Sequence, residues 1–340
     1  MRQIWITKHG GPEVLEIRET RIEEPGPDQV QIRVHFAGIN FADILSRMGL
    51  YPGAPRPPFV PGYEISGIIE KVGSSVDPVL AGKPVIGITQ FNGYSSSVNL
   101  PLDRVVSLDS NEQLRTGVVL PVNYLTAYLM LINQTHLQAG EWVLIHGIGG
   151  GVGIAATQIA GILGAGIIGT ASAHKHERLR QLGVEHLIDY RKEDFLARVM
   201  EITGGKGADV ILDPIGGAHL KRSYRALAGL GRLVAYGFSA AAIGPRKRIL
   251  HAAREYLRFP KFHPVKLISH NKGVFGFHLG MVRNEKTLKA ALTTLIKWLN
   301  EGKINPLVDC VFPFSRVQAA HEYIAAHQNF GKVLLTPDDV

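Results

Sequence analysis

One cysteine, Cys310, stands in 340 residues. That scarcity excludes an internal disulfide framework and a cysteine-rich zinc site, and it fits a reducing compartment. Charge is missing altogether between Trp142 and Ala173, a stretch that holds nine glycines. A charge-free run of that length has the dimensions of a membrane helix, but the five glycines clustered between Gly147 and Gly153 would expose backbone that lipid cannot satisfy. The N-terminal segment lacks the apolar core of a signal peptide and reads as a strand followed by a turn at Gly10-Gly11-Pro12, so a cytoplasmic protein is expected. At 45% hydrophobic and 19% charged residues the composition excludes disorder, and the length suggests about two domains.

What the charge-free stretch contains is a strand, a glycine turn, a helix and a second strand. Trp142 to Ile145 is short and apolar enough for a buried parallel strand, a helix opens near Val152, and Gly166 to Thr170 is the next strand. Glycine lets backbone approach a ligand that a Cβ would repel, and the free N–H groups at a helix start favour an anion. Gly150, Gly151, Val152 and Gly153 are therefore the candidate cradle for the pyrophosphate of a dinucleotide. The fingerprint is imperfect: with Gly150 and Gly153 as its second and third glycines, Ile148 stands where the first belongs.

The cofactor is read from the end of the second strand. A carboxylate is expected there when a ribose 2′-hydroxyl is bound, whereas this chain runs Thr170-Ala171-Ser172-Ala173-His174-Lys175. A hydroxyl at Ser172 and an ammonium at Lys175 suit a 2′-phosphate, so NADPH is expected over NADH. An ordinary exposed lysine at a helix start is the other reading of Lys175.

Short apolar runs and helical stretches continue to alternate: His186 to Tyr190, Ala208 to Asp213, Arg232 to Tyr236 and Val274 to Phe277 as strands, Asp194 to Thr203 as a helix. This is the pattern of a doubly wound parallel sheet. Residues 1 to about 121 differ, with short alternating runs broken by glycine and proline, as in QVQIRVHFAGIN and YEISGIIEKVG, which reads as mostly antiparallel structure. Glu285 to Asn300 reads as a helix and Gly331 to Leu335 as a last strand.

Several phrases carry a resemblance over essentially the whole length: GINFADILSRMGLYP, PGYEISGIIEKVG, TAY at 126 to 128, HGIGGGVG, DPIGG and GKVLL. The chain resembles the medium-chain dehydrogenase/reductase superfamily and, within it, the zinc-free quinone oxidoreductases. VNYLTAY, GTASAHKHE, GPRKR and GFHLG are similar to the branch of the vesicle amine transport protein homologues. The resemblance implies an α/β protein in which a GroES-like, mostly antiparallel β-barrel catalytic domain (1–121 and 279–340) accompanies a Rossmann doubly wound parallel-sheet domain (122–278). It also implies a homodimer paired through the edge strand VFGFHL.

Zinc enzymes of the superfamily carry a cysteine and a histidine where this chain has Asn40 and Tyr63, and no cysteine lies between Gly87 and Asn111. Neither Asn nor Tyr binds zinc well, so no metal is expected and the nicotinamide carries the chemistry. Conjugated carbonyls then become the natural hydride acceptors, because their oxyanion is delocalised. The resemblance implies that Asn40, Asp43 and Tyr51 line the nicotinamide and substrate cleft with Thr126 near the cofactor. Tyr51 is the candidate proton donor, a packed aromatic beside Pro52 being the other role open to it. Tyr190 is implied beside the adenosine phosphate, Gly237 and Phe238 after the fifth strand, and Phe275, Phe277, Asn329 and Lys332 toward the nicotinamide; each also has a structural role open to it.

The net charge of +8 is uneven. Between Ala241 and Lys272 eight basic residues face one acid, Glu255, with Leu250, Tyr256, Leu257, Phe259 and Phe262 interspersed. A solvated insertion packed on its own domain is one reading, and contact with an anionic membrane or an acidic partner is the other. Function accordingly divides between an NADPH-dependent reductase and a nucleotide-binding protein that handles membranes or lipids.

Overall fold

A computed structural model describes residues 1–242 and 249–337. The phrase GPRKR, with Arg246, Lys247 and Arg248, lies outside the described residues. The chain divides into two compact units, one chiefly Met1–Val122 and Pro306–Val340, the other Asn123–Ala241 and Arg248–Asn305.

The first unit opens with seven strands: β1 (Arg2–Ile6), β2 (Leu15–Glu19), β3 (Gln29–Ile39), β4 (Glu64–Val72), β5 (Pro84–Ile88), β6 (Ser97–Pro101) and β7 (Val105–Ser107). The second supplies β8 (Trp142–His146), β9 (Gly166–Ala171), β10 (His186–Asp189), β11 (Ala208–Asp213), β12 (Leu227–Ala235) and β13 (Gly273–Gly276). The chain then returns to the first unit with β14 (Val308–Pro313) and β15 (Lys332–Thr336).

In the first unit β3 is the organising strand, pairing antiparallel with β4, β6 and β15. Its alternate residues Val30, Ile32 and Val34 are fully buried, as the period of a pleated strand requires. The sheet runs β14-β15-β3-β4-β5-β7, so the chain's last strand lies beside one of its first.

The second unit is a six-stranded parallel sheet in the order β10-β9-β8-β11-β12-β13. Parallel sheets are covered on both faces, which explains why β8 and β11 read as continuous apolar runs. The order reverses between β8 and β11, and ligands of such sheets bind outside the carboxyl ends of the strands at that switch point. His146 ends β8 and Asp213 ends β11.

The helix Glu285–Asn300 falls in the second unit, past the expected boundary at residue 278. Its Trp298 ring packs 5.8 Å from that of Tyr128, and this aromatic contact ties the helix to the segment that opens the unit.

Between β8 and β9 the chain forms the helix Gly151–Ile162, whose Ile154, Ala155, Ala156, Ile159 and Ala160 are all buried. Gly153 is what brings this helix close: a Cβ there would lie 2.4 Å from the carbonyl oxygen of Ile148. Gly147 turns the chain at φ +64°, a conformation that L side chains resist. Because the obstacle at Gly153 is backbone, Gly153→Ala is expected to cost about 1–3 kcal/mol of stability through overpacking. Urea unfolding reads this directly, and an unchanged midpoint would refute the close approach.

Candidate functional site

The glycine turn leaves β8 at the switch point and ends at Gly150, the N-cap of the helix Gly151–Ile162. No side chain caps that helix start. Its first N–H groups are therefore offered to a ligand, and the helix dipole makes an anion the favoured one. Val152 is half-buried in the first turn. A Cβ on Gly151 would meet Asn123 Oδ1 at 2.3 Å, so Asn123 lies over this turn. The sequence reading missed Asn123, since only proximity in space points to it.

Ser172 and Lys175 belong to one 3-10 turn after β9, where the Lys175 N–H donates to the Ser172 carbonyl at 2.9 Å. Both side chains are buried, Lys175 at 9% exposure. Lys175 is thus not a lysine extended into solvent. No carboxylate occurs from Thr170 to Lys175, and the turn carries one hydroxyl residue and one lysine directly after β9.

The other candidates of this unit take separate places. Thr126 is buried in the short helix Leu125–Tyr128, and Tyr190 is 49% exposed after β10. Gly237 follows β12, where its backbone approaches Pro214 so closely that a Cβ would lie 2.5 Å from the Pro214 carbonyl. Phe238 rests on Phe259, ring centroids 4.8 Å apart. Phe275 lies on β13, and the Phe277 N–H donates to Ala235 at 2.9 Å.

In the first unit the structure buries Asn40, Asp43 and Lys332 together, and Tyr51 stands half-buried near Asp43. The helix Phe41–Met48 starts after Asn40, and Asp43 reaches back to accept from the Asn40 N–H at 2.8 Å while its other oxygen accepts from the Gly62 N–H at 3.0 Å. Burial pushes the Asp43 carboxyl up to about 7. Tyr51 packs edge-on against Tyr63 at 6.0 Å, and Tyr63 shares a hydrogen bond with Ser46 at 3.2 Å. Burial, with Asp43 nearby, raises the Tyr51 phenol to about 12, so it stays protonated across the physiological range.

Lys332 is 2% exposed and forms an ion pair with Glu64, its Nζ also donating to Asn40 Oδ1 at 2.6 Å. Glu64 accepts in addition from Asn40 Nδ2 at 3.0 Å and from the Val122 N–H at 2.9 Å. Asn329 donates to the Gly331 carbonyl at 2.9 Å, just before β15. The ammonium of Lys332 is thus engaged inside the fold, where it orients Asn40. The ion pair joins residues far apart in the chain, and no local pattern announces Glu64.

The second unit holds one further cluster that sequence reasoning did not find: His146, Asp213, His219 and Ser223. The nearest ring nitrogens and carboxylate oxygen of the first three lie within 4.8 Å of one another, a spacing that would also suit a metal ion. Each of these groups hydrogen-bonds within the cluster: Ser223 Oγ donates to Asp213 Oδ2 at 2.7 Å and meets His146 Nε2 at 3.2 Å, and His219 Nδ1 meets Asp213 Oδ2 at 3.0 Å.

Two family models match the chain: an alcohol dehydrogenase GroES-like domain over residues 26–104 and a zinc-binding dehydrogenase over residues 182–335. A synaptic vesicle membrane protein VAT-1 homolog of Danio rerio is 35% identical, the match covering 99% of this chain and 70% of the relative. The Escherichia coli quinone oxidoreductase complexed with NADPH superposes with a TM-score of 0.86 at 32% identity, covering 99% of this chain and 100% of the other. The CurK enoyl reductase gives 0.85 at 28% identity, covering 99% of both.

Removing one member of the buried ion pair leaves an uncompensated charge, so Lys332→Met is expected to cost about 3–5 kcal/mol. Adding Glu64→Gln is expected to recover part of that loss. Urea unfolding of the single and double variants checks both statements, and equal stabilities would show that the pair carries no strong coupling.

Proposed function

The chain belongs to the medium-chain dehydrogenase/reductase superfamily, in the branch of the quinone oxidoreductases and VAT-1 homologues. From that premise we propose an NADPH-dependent, zinc-independent oxidoreductase acting on a quinone or another conjugated carbonyl, an enone or alkenal. The observation that carries the proposal is an uncapped helix start after the glycine turn, with Ser172 and buried Lys175 standing where a carboxylate would select NADH. The donor set suits a dinucleotide: outward amide groups for a pyrophosphate, one hydroxyl and one ammonium for a 2′-phosphate.

The N–H groups of Gly151, Val152 and Gly153 would hold the pyrophosphate, whereas the expected contribution of the Gly150 amide is lost because that N–H donates to the Gly147 carbonyl at 2.9 Å. Ser172 with Lys175 would take the 2′-phosphate. Tyr190 flanks the adenosine, while Thr126, Gly237, Phe238, Phe275, Phe277 and Asn329 complete the contacts. When bound, the nicotinamide supplies a hydride to the conjugated carbon of the substrate. The electron pair moves to the carbonyl oxygen, and Tyr51 donates its proton there, to be replaced from water; Asn40, oriented by Lys332, and Asp43, which caps the helix, shape the wall around it. The same reading carries a cytoplasmic homodimer joined through β13, an edge of the six-stranded sheet.

NADPH and NADH oxidation against a panel of quinones, alkenals and enones tests the proposal. NADPH is expected to be preferred, and Lys175→Met to raise the Kd for NADPH about tenfold or more with little change for NADH. A wild-type preference for NADH, or no affinity for either dinucleotide, sinks it.

A second reading is favoured by the helices Ile249–Leu257 and Pro264–His270. Phe259, Phe262 and Leu267 of this region pack against the unit's core, as an insertion on its own domain would. Leu250, Leu257 and Ile268 nevertheless stay 88%, 83% and 73% exposed, among Arg254, Arg258, Lys261 and Lys266. Basic residues interleaved with exposed apolar ones suit a membrane surface bearing anionic lipid. This reading makes the chain a nucleotide-binding, lipid-handling protein with little reductase activity. Co-sedimentation with phosphatidylserine-containing vesicles is expected to be salt-sensitive and lost in Leu250→Asp/Leu257→Asp, and absence of binding at low salt would remove the reading.

A further inference from the structure

The groups around His146 form a hydrogen-bond chain whose direction follows from its end points. Asp213 is fully buried, and its Oδ1 accepts from the Ile215 and Gly216 N–H groups at 2.7 and 3.0 Å. Hydrogen bonds from His219 and Ser223 hold the carboxyl below its usual range although burial pushes it up, so the group is an acceptor only. Ser223 has a single hydroxyl hydrogen and gives it to Asp213 Oδ2 at 2.7 Å, the shortest of its contacts. The serine oxygen must then accept from His146 Nε2 at 3.2 Å.

That assignment decides the rest. His146 is 0% exposed, and burial first, then His219, lowers its imidazole to about 3, so the ring is neutral and carries one hydrogen. With that hydrogen on Nε2, Nδ1 is a bare lone pair and accepts from the Thr170 hydroxyl at 3.1 Å. The Thr170 oxygen in turn accepts from the Gly147 N–H at 3.3 Å. The sequence of donations runs from Gly147 through Thr170, His146 and Ser223 to Asp213, which also receives His219 Nδ1–H.

Gly147 is the first residue of the phosphate turn, and it sits at φ +64°. We infer that this chain is a positioning device for the dinucleotide site: with the Gly147 amide committed to the Thr170 side chain, the Ile148 amide to the Thr170 carbonyl and the Gly150 amide to the Gly147 carbonyl, it holds the turn so that the Gly151, Val152 and Gly153 amides of the helix start face the ligand, and it anchors the turn through His146 to the carboxyl ends of β9 and β11. The inference rests on the dinucleotide-binding reading, and it assigns His146, Thr170, Ser223 and Asp213 as positioning residues that do not touch the ligand. Because the whole turn depends on them, they serve both nicotinamide cofactors alike, unlike Lys175.

Thr170→Val keeps the shape of the side chain and deletes the hydroxyl. It is expected to weaken NADPH and NADH binding by similar factors, on the order of tenfold, and to speed exchange of the Gly147 amide by on the order of tenfold or more. Thr170→Ser, which restores the hydroxyl, is expected to recover most of both. Should Thr170→Val not fold, Ser223→Ala breaks the chain on the far side of His146 and is read the same way. Nitrogen NMR of wild-type His146 is expected to show the neutral ring protonated at Nε2. Wild-type protection of Gly147 in Thr170→Val, an Nδ1–H ring at His146, or one equivalent of zinc bound tightly and lost in His219→Ala would each overturn the inference. If the wild-type protein binds no dinucleotide, the functional reading fails by itself, while the Gly147 exchange and the His146 ring still decide whether the chain exists.

Discussion

The backbone contact between Gly153 and Ile148 is the constraint on which the second unit depends. With a Cβ at Gly153 barred by a carbonyl 2.4 Å away, the helix that follows the turn can seat only if this position is glycine. Seated there, the helix presents an uncapped end at the switch point of the sheet. A helix end with unpaired amides is costly when buried and useful when an anion completes it. The same geometry that makes the packing tight therefore makes the site receptive.

Polar groups behind the turn are arranged in the opposite sense. Those of His146, Thr170, Ser223 and Asp213 are buried and hydrogen-bonded to one another, as buried polar groups must be to avoid the cost of desolvation. The outward amides and the inward network are two sides of one turn. In the first unit the ion pair of Lys332 with Glu64 does a comparable job, holding Asn40 and the Val122 amide around a single buried carboxylate.

Much of the fold was legible along the chain because its elements carry their own periodicity. Ala208–Asp213 and Glu285–Asn300 appear with the bounds that their apolar patterns suggested. The fifth strand is longer than expected, starting at Leu227, since Leu227 pairs with Ala208 of β11 and carries the strand through a glycine-containing stretch that pattern alone leaves ambiguous. The helix Glu285–Asn300 was legible as a helix, but its membership in the second unit was not: that is decided by where Trp298 meets Tyr128.

The glycine turn, the missing carboxylate after β9 and the paucity of cysteine follow from residue order alone. These are statements about which residue types stand at which spacing, and spacing along a strand or helix is a local property. That Lys175 is buried rather than solvated, that Lys332 is committed to Glu64, and that His146 and Asp213 end neighbouring strands became visible once the chain was folded. Those facts depend on hydrogen bonds and burial between segments up to 268 residues apart, and no local pattern encodes contacts that only the closed fold creates.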